Sequence, residues 1–189
     1  IAMEPIEELQ TLRTQTVYAS ETAMTAEEAN AAIGQLRGDS FEIRMKLSLS
    51  ETAETYSAGL YVRFNPYTDS LNQTERTGVV FGSNGVYIDR SQTSLYVMGL
   101  SNSHVWDNTA GEFDVVVYMD RSMLEVYVNG TVSFTSRMYP KYEDSDYLRF
   151  FAEGCTLTVS DLTIYTLGSA YSDTVTPAYY GNTGSIQNA

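Results

Sequence analysis

The sequence predicts an all-β fold, a two-sheet antiparallel β-sandwich of the jelly-roll or lectin-like kind. Apolar and polar residues alternate along about ten short runs between residues 39 and 168, which is the period of half-buried strands. Turn-forming residues separate these runs, and the 15 tyrosines and 7 phenylalanines favour strands over helices. A chain of 189 residues is also long enough to bury one core without disulfides or metals.

The first 38 residues are predicted to be a connector with a short helical segment that packs on the sandwich. The stretch "PIEELQTLR" suits either a short amphipathic helix or an extended connector, packed through Ile6, Leu9 and Leu12. The stretch "MTAEEANAAIGQLRG" predicts a helix that Thr25 caps and Gly38 ends. Threonine accepts hydrogen bonds from the first unpaired amides of a helix, and glycine adopts the backbone conformation that stops one.

The strands of the sandwich follow in order. "FEIRMKLSL" alternates almost perfectly and predicts the first of them. Later runs are "AGLYVRF", "TGVVFG", "GVYIDR", "SLYVMG", "FDVVVYM", "YLRFFAE" and "TLTVSDLTIYTL". The last run changes phase at Ser160 and Asp161, which predicts either a bulge or a strand shared between two sheets. Residues 169–189 are rich in Gly, Ser, Thr and Asn and are predicted to be a linker or tail.

The negative charge of the chain limits the classes of partner that it is expected to bind. The 11 basic and 24 acidic residues give a net charge of −13, which argues against nucleic acid and anionic membranes because both require a basic surface. No apolar run reaches the length of about 18 residues that predicts a transmembrane helix. The single cysteine, Cys155, has no partner for an internal disulfide and is predicted to be a small buried apolar residue. Neutral polymers remain as candidate ligands.

The hairpin within residues 119–140 carries more charge than folding requires. Asn129 and Gly130 lie between alternating runs, which is the strongest short-range signal for a hairpin turn. Glu125 and Tyr127 share one strand face, and aliphatic residues share the other. If the aliphatic face is core, the carboxylate and the aromatic ring lie on an exposed sheet face, where a sugar could bind.

Four charged residues of this region admit two interpretations: Asp120, Arg121, Glu125 and Arg137. In the first, they bind sugar, because vicinal hydroxyls match the paired acceptors of a carboxylate and the paired donors of a guanidinium. In the second, they form a structural network of ion pairs and hydrogen bonds that fixes the sheet edges.

Other polar residues are weaker candidates. Asp89 in "DRSQTS" anchors a ligand or satisfies a turn. Arg63 projects from a strand among large apolar neighbours, which predicts a paired arginine. Trp106 is a candidate for stacking on a sugar or for closing the end of the sandwich. His104 has no companion at metal-ligand spacing, so no transition-metal site is predicted, whereas loop carboxylates and carbonyls are candidate ligands for a structural calcium.

The hairpin resembles a known family. Asp120, Arg121 and Ser122, then Glu125 between apolar neighbours, then Tyr127 and "TSRMYP" resemble the C-terminal β-sandwich of family 32 glycoside hydrolases, which include invertases, levanases and inulinases. The related family 66 carbohydrate-binding modules share this motif. "PIEELQTLRT" resembles the connector leading out of the catalytic propeller, and "DRSQTS" and "FFAEGCTLTVSDLTIYTL" resemble further strands of the same domain.

The resemblance implies a non-catalytic module that recognises the terminal fructose of levan or inulin. Its partners would be the fructan and the catalytic β-propeller of a bacterial β-fructosidase, secreted or at the cell surface. The alternative is a structural C-terminal domain that stabilises the propeller without binding sugar. The implied binding residues are Glu125, Arg121, Asp120, Arg63, Tyr127, Arg137 and Asp89, with no cofactor.

The sequence does not predict catalysis by the chain itself. The family's Asn-Asp-Pro, Arg-Asp-Pro and Glu-Cys motifs do not occur in the sequence, since Gly154 separates Glu153 from Cys155. Glycoside hydrolysis needs two opposed carboxyl groups. Asp144 and Asp146 lie in an acidic stretch that is predicted to be a solvated loop.

Overall fold

The computed structural model describes residues 2–67, 74–93, 101–104 and 111–169, with the backbone alone for 101–104. Two antiparallel sheets pack face to face within these ranges, which confirms the predicted β-sandwich. The run "SLYVMG", Trp106 and nearly all of the predicted tail lie outside the described residues.

The elements that precede β3 in the chain are a 3₁₀ helix (Glu7–Leu12), β1 (Arg13–Ser20), β2 (Met24–Thr25) and helix α1 (Ala26–Ile33). The remaining strands are β3 (Ser40–Ser50), β4 (Ser57–Phe64), β5 (Thr77–Gly82), β6 (Gly85–Asp89), β7 (Ser101–His104), β8 (Glu112–Asp120), β9 (Met123–Val128), β10 (Val132–Arg137), β11 (Tyr147–Glu153) and β12 (Thr156–Leu167). The larger sheet has the order β1-β12-β3-β8-β9-β10, with β2 beside β12. The smaller sheet has the order β11-β4-β5-β6-β7.

The core lies between the two sheets because each strand turns alternate side chains inward. In β9 the inward residues Leu124, Val126 and Val128 are fully buried. Glu125 and Tyr127 lie half-buried on the outer face of the larger sheet. The predicted division of this hairpin into an aliphatic core face and a polar outer face is therefore confirmed.

Helix α1 begins as predicted and ends earlier than predicted. The Glu28 amide donates to Thr25 Oγ1 at 3.2 Å, and the Thr25 amide donates to Glu28 Oε2 at 2.8 Å, which forms a capping box. The helix stops at Ile33, so the prediction that Gly38 ends it is wrong. Gly38 instead allows close packing, because a Cβ there would lie 2.7 Å from the ring of Phe41.

The connector is more exposed than the sequence suggests. The 3₁₀ helix forms, with Leu9 and Leu12 half-buried, but Ile6 is 64% exposed and does not pack on the sandwich. Strand β1 follows it and pairs with β12 at the edge of the larger sheet. Its sequence, "RTQTVYAS", has no sustained apolar alternation because it is a largely exposed edge strand, so the sequence did not predict it.

Two bulges shift which side chains face outward. The phase change in β12 is a bulge: Asp161 has a φ of 50°, and the register against β3 shifts between Ser160 and Thr163. Strand β12 stays within the larger sheet, so the alternative of a shared strand is wrong. In β4, Arg63 has a φ of 49° opposite a register shift in β11. This second irregularity places Phe64, like Tyr61, on the outer face of the smaller sheet.

Cys155 packs at the margin of the core. It is only partly buried, whereas the sequence predicted a buried residue. Its Sγ lies 3.9 Å from the carbonyl oxygen of Ser57, and burial raises the pKa of its thiol. Over the described parts of the chain, no helix has the length and apolar character needed to cross a membrane.

Gly59 supports the smaller sheet through close backbone contact, which gives a test of the fold. It has a φ of 150°, and a Cβ there would collide with the carbonyl oxygen of Val79 on β5. We expect Gly59→Ala to lower the free energy of unfolding by more than about 2 kcal/mol, because two hydrogen-bonded strands would have to separate. Urea denaturation measures this. Ser133→Ala on an exposed strand position is the control, and equal stability of the two variants would contradict the packing described.

Candidate functional site

A buried carboxylate organises the outer face of the larger sheet. Glu42 on β3 has no exposed side-chain surface. Arg13 of β1 donates to both of its oxygens at 2.6 Å, and Nε of Arg44 donates to Oε1 at 2.6 Å. Burial alone would raise the pKa of the Glu42 carboxyl, but the hydrogen bonds from the two arginines outweigh burial and hold this pKa below its usual value.

This ion network also fixes the connector. Arg13 directly follows the 3₁₀ helix, so its attachment to Glu42 holds that helix over the sheet. The Arg13 guanidinium lies 4.2 Å from the centre of the Tyr165 ring, and its hydrogen bond to Glu42 raises its pKa. The Gly168 amide donates to the carbonyl oxygen of Leu12 at 2.7 Å and ties the helix to the end of β12.

A cavity of about 380 Å³ lies between the connector and the sheet. Its apolar lining comes from the connector, β9 and the end of β12: Leu9, Leu12, Met123 and Leu167. Its polar lining comes mainly from the sheet: Ser40, Tyr118, Asp120, Arg121, Glu125 and Ser169. Three predicted site residues, Glu125, Asp120 and Arg121, therefore meet in one cavity.

Glu125 presents one occupied and one open carboxylate oxygen. Tyr127 donates from its hydroxyl to Oε2 of Glu125 at 3.1 Å. Burial and the charge of Glu125 raise the pKa of Tyr127 to about 12, so this hydroxyl keeps its proton at neutral pH. Tyr118 lies edge-on to Tyr127, with ring centres 6.5 Å apart. Within the described ranges, Oε1 of Glu125 has no hydrogen-bond partner.

The turn between β8 and β9 supplies the other charged groups. Asp120 accepts a hydrogen bond from Ser40 Oγ at 3.0 Å. Arg121 has a φ of 52°, a conformation held by its amide, which donates to the carbonyl oxygen of Asp39 at 2.7 Å. Its side chain is exposed, and among the described residues its guanidinium has no hydrogen-bond partner. The donors of Arg121 are therefore available to a molecule in the cavity.

Arg63 lies near this site without lining the cavity. Its side chain is 11% exposed, and its Nη1 lies 3.5 Å from Oδ2 of Asp39. Asp39 also accepts a hydrogen bond from Ser40, which lines the cavity. Arg63 therefore contacts the cavity lining only through Asp39. The guanidinium is paired with an acid, as the sequence suggested, although its Nε has no partner in the described structure.

Arg137 and Asp89 make contacts of the structural kind. Nη1 of Arg137 donates to Ser122 Oγ at 3.0 Å, which joins β10 to the turn before β9. Asp89 lies on the smaller sheet, where its Oδ1 accepts from the Ser91 amide at 2.8 Å and closes a turn. Neither side chain lines the cavity that contains Glu125.

The acidic loop is exposed at Glu143 and Asp144, as predicted, and both of its aspartates accept side-chain hydrogen bonds. Asp146 accepts from Nε of Arg37 at 2.5 Å, so the prediction of simple solvation does not hold for it. Asp144 accepts from the Asn65 side chain at 2.9 Å. No group of three or more His, Cys, Asp or Glu side chains in the described residues is placed to hold a metal ion.

Sequence reasoning missed the apolar half of the cavity. The sequence predicts that Leu9 and Leu12 pack the connector, and nothing in their spacing indicates that they form the wall of a cavity. No local sequence pattern marks Tyr118, which lies directly beside Glu125 because β8 pairs with β9. The position of Tyr118 beside Glu125 follows from the register between two strands, and the sequence of one strand does not reveal that register.

The fold is a two-sheet antiparallel β-sandwich, and its larger sheet carries a small cavity with polar and apolar sides. The family model for "Glycosyl hydrolases family 32 C terminal" matches residues 8–166. The chain belongs to this family of C-terminal domains, and the C-terminal domain of family 32 enzymes is non-catalytic.

The similar proteins described here are longer than this chain. A fructan beta-fructosidase of Streptococcus mutans serotype c is 24% identical over 163 residues, which are 79% of this chain and 10% of that protein. The chain therefore spans about a tenth of the curated relative it matches.

Solved structures share the fold. Fructan 1-exohydrolase IIa from Cichorium intybus has a TM-score of 0.64 and 15% identity over 89% of this chain and 38% of that one. An exo-inulinase from Aspergillus awamori has a TM-score of 0.59 and 19% identity, covering 90% of this chain and 33% of that one. A fructosyltransferase from A. japonicus has a TM-score of 0.61 and 18% identity over 87% and 28% of the two chains.

The network around Glu42 predicts a specific pH dependence of stability. We expect Glu42→Gln to lower the free energy of unfolding at pH 7 by about 3 kcal/mol, because it leaves Arg13 and Arg44 without their buried counter-charge. The folded-state pKa of Glu42 lies below its unfolded value, so its contribution is present above about pH 4.3 and is lost as the pH falls through the folded value.

The measurement is urea denaturation of both proteins from pH 7 to pH 3. The stability difference between wild type and Glu42→Gln should shrink with acidification, because protonation removes the same charge from the wild type. Glu112→Gln, an exposed position on the same sheet, is the matched control. A constant difference over the whole pH range would show that the charge of Glu42 is not what stabilises this face.

Proposed function

We propose that the domain binds the terminal fructosyl unit of a fructan such as levan or inulin, as the non-catalytic accessory of a β-fructosidase. The observation that carries this proposal is the arrangement of Glu125, which presents an open carboxylate oxygen to a small cavity with one polar and one apolar side. A cavity of about 380 Å³ suits the end of a chain better than a long internal segment.

The chemistry of the cavity matches that of a sugar ring. Hydroxyl groups can donate to the Glu125 and Asp120 carboxylates and accept from the Arg121 guanidinium, and charge-assisted hydrogen bonds of this kind are the stronger ones. The C–H face of a furanose ring can pack on Leu12 and Met123, which line the same cavity. Tyr127 would act by orienting Glu125, to which it donates.

The names of the similar proteins support a fructan as the ligand. The curated relative is a fructan beta-fructosidase, and the similar structures include a fructan 1-exohydrolase and an exo-inulinase. The parent protein would then carry a catalytic propeller, and its location would be secreted or at the cell surface, where such polymers are found.

A structural role is the second candidate, and the connector favours it. The Met3 amide donates to the carbonyl oxygen of Gly130 at 2.8 Å, so Met3 lies beside the tip of the β9–β10 hairpin. Met3 is 43% exposed, and Ile6, three residues further along the chain, is 64% exposed. Apolar side chains at this place could contact a preceding catalytic module, and such a contact would stabilise it without any sugar.

Substitution of the cavity carboxylate separates the two functions. Each hydrogen bond to a charged group contributes about 1.5–3 kcal/mol before the costs of desolvation and ordering, so we expect a single fructose to bind with a Kd between roughly 10 µM and 1 mM. Glu125→Ala and Arg121→Ala should abolish binding measured by calorimetry, while the Tm falls by only a few degrees. Branched levan should bind more tightly because it offers many chain ends.

Glu112→Ala is the matched control, since Glu112 is an exposed carboxylate on the same sheet, outside this cavity. This variant should bind as the wild type does. If the wild type binds neither fructose, levan nor inulin, or if both cavity variants unfold the domain, these residues are structural and the stabilising role is the correct one.

A further inference from the structure

The outer face of the smaller sheet carries an unusual set of side chains. We name it the aromatic–arginine face, and its members are Tyr61, Phe64, Phe151, Arg76 and Arg149. The Tyr61 and Phe151 rings are almost parallel, with an interplanar angle of 6° and centres 4.0 Å apart. Tyr61 also stacks with Phe64 at 6.3 Å. The bulge at Arg63 brings this third ring onto the same face.

Guanidinium groups cover two of these rings. The Arg76 guanidinium lies 4.7 Å from the centre of the Tyr61 ring, and that of Arg149 lies 5.4 Å from the centre of the Phe64 ring. Arg76 is held in place by a hydrogen bond from Nη1 to Thr74 Oγ1 at 2.6 Å. Its Nε is buried without an acceptor in the described structure. Such stacked arginines keep rings and donors in fixed positions.

The face forms the floor of an open cleft of about 800 Å³, whose opposite wall is helix α1. Two exposed carboxylates also line the cleft: Glu27 on α1 and Glu153 at the end of β11. The Tyr61 hydroxyl keeps its proton, because burial raises its pKa. The cleft therefore offers the half-buried rings of Tyr61 and Phe151 together with guanidinium donors and carboxylate acceptors, whereas Phe64 is only 7% exposed beneath Arg149. It lies on the sheet opposite to Glu125.

From this arrangement we propose that the aromatic–arginine face is a second glycan site, which binds a segment of a neutral polysaccharide chain. Sugar rings present C–H faces that pack on aromatic rings and hydroxyls that need both donors and acceptors. The cleft has about twice the volume of the cavity at Glu125, 800 against 380 Å³, so it takes several sugar units instead of one chain end.

The charges of the cleft favour a neutral ligand. Arg76 and Arg149 face Glu27 and Glu153 around it, so neither sign dominates. A protein net charge of −13 repels polyanions such as nucleic acid or acidic polysaccharides. A protein partner is the competing occupant, because aromatic and arginine side chains are also enriched at protein interfaces, and the experiment below distinguishes it from a glycan.

The experiment compares ligands of different length. Calorimetry of the 189-residue chain is carried out with fructose, with fructan oligosaccharides and with soluble inulin, levan and starch. Arg149→Ala and Phe151→Ala should each weaken binding of a polymer by about tenfold, since each removes one packing surface from the sugar chain. Neither should change the affinity for fructose, which contacts only the other cavity.

Matched controls separate this site from the terminal-sugar cavity. Lys46→Ala removes an exposed cation from the opposite sheet, and Tyr142→Ala removes an exposed ring outside the cleft. Both should bind polymers like the wild type. Glu125→Ala should weaken fructose and polymer together. If Glu125→Ala leaves polymer binding intact while Arg149→Ala weakens polymer binding, the assignment of the cavity at Glu125 as a sugar site is wrong. The aromatic–arginine face then remains supported as a glycan site.

Two results would overturn the second site. The first is a wild type that binds none of the three polymers. The second is polymer affinity that stays unchanged in Arg149→Ala. Because Arg149 is exposed, we expect this variant to fold like the wild type. Unchanged polymer affinity in both face variants would leave a protein partner as the occupant of the cleft.

Discussion

The buried carboxylate of Glu42 is the interaction on which the candidate site depends. A charge with no exposed surface requires close counter-charges, and Arg13 and Arg44 provide them at 2.6 Å. Arg13 belongs to the first strand after the connector, so satisfying Glu42 also places the connector helix over the sheet. Without that placement, Leu9 and Leu12 would not close one side of the cavity at Glu125. A structural ion network thus positions the walls of a cavity that its own side chains do not line.

The two sheets share one core yet present different outer surfaces. On the larger sheet, carboxylates and tyrosines lie beneath a connector that leaves a small cavity. On the smaller sheet, the aromatic–arginine face lies in an open cleft. Because successive side chains of a strand point to opposite faces, every second side chain packs in the core. The remaining side chains lie on the outer face and are available for other roles. Bulges then adjust the pattern locally, as at Arg63, where one extra residue brings Phe64 beside Tyr61.

Local patterns in the sequence predicted local structure well. The alternation around Val126 and the Asn129–Gly130 turn identified the hairpin and its polar face, and the phase change at Asp161 identified the bulge in β12. These signals depend on neighbouring residues, which a sequence displays directly. Strand β1 has no such pattern, since an edge strand paired on one side needs few apolar side chains.

The candidate site was predicted only in part, because it depends on long-range placement. Glu125, Asp120 and Arg121 were found through a motif within one hairpin. Leu12 and Leu167 reach the same cavity from opposite ends of the chain, and their meeting follows from the pairing of β1 with β12. Arg137 belongs to the same motif yet contacts Ser122 instead of the cavity. A motif therefore indicates a region, and strand register decides which of its residues line the cavity.

The most direct test of sugar binding at Glu125 is a crystal structure of the chain soaked with a short levan oligosaccharide. We expect the terminal fructosyl unit in the cavity, with a hydroxyl within about 3 Å of the Glu125 carboxylate and its ring against Leu12. A cavity that stays empty at saturating oligosaccharide, or a terminal fructose held only on another surface, would contradict the proposed function.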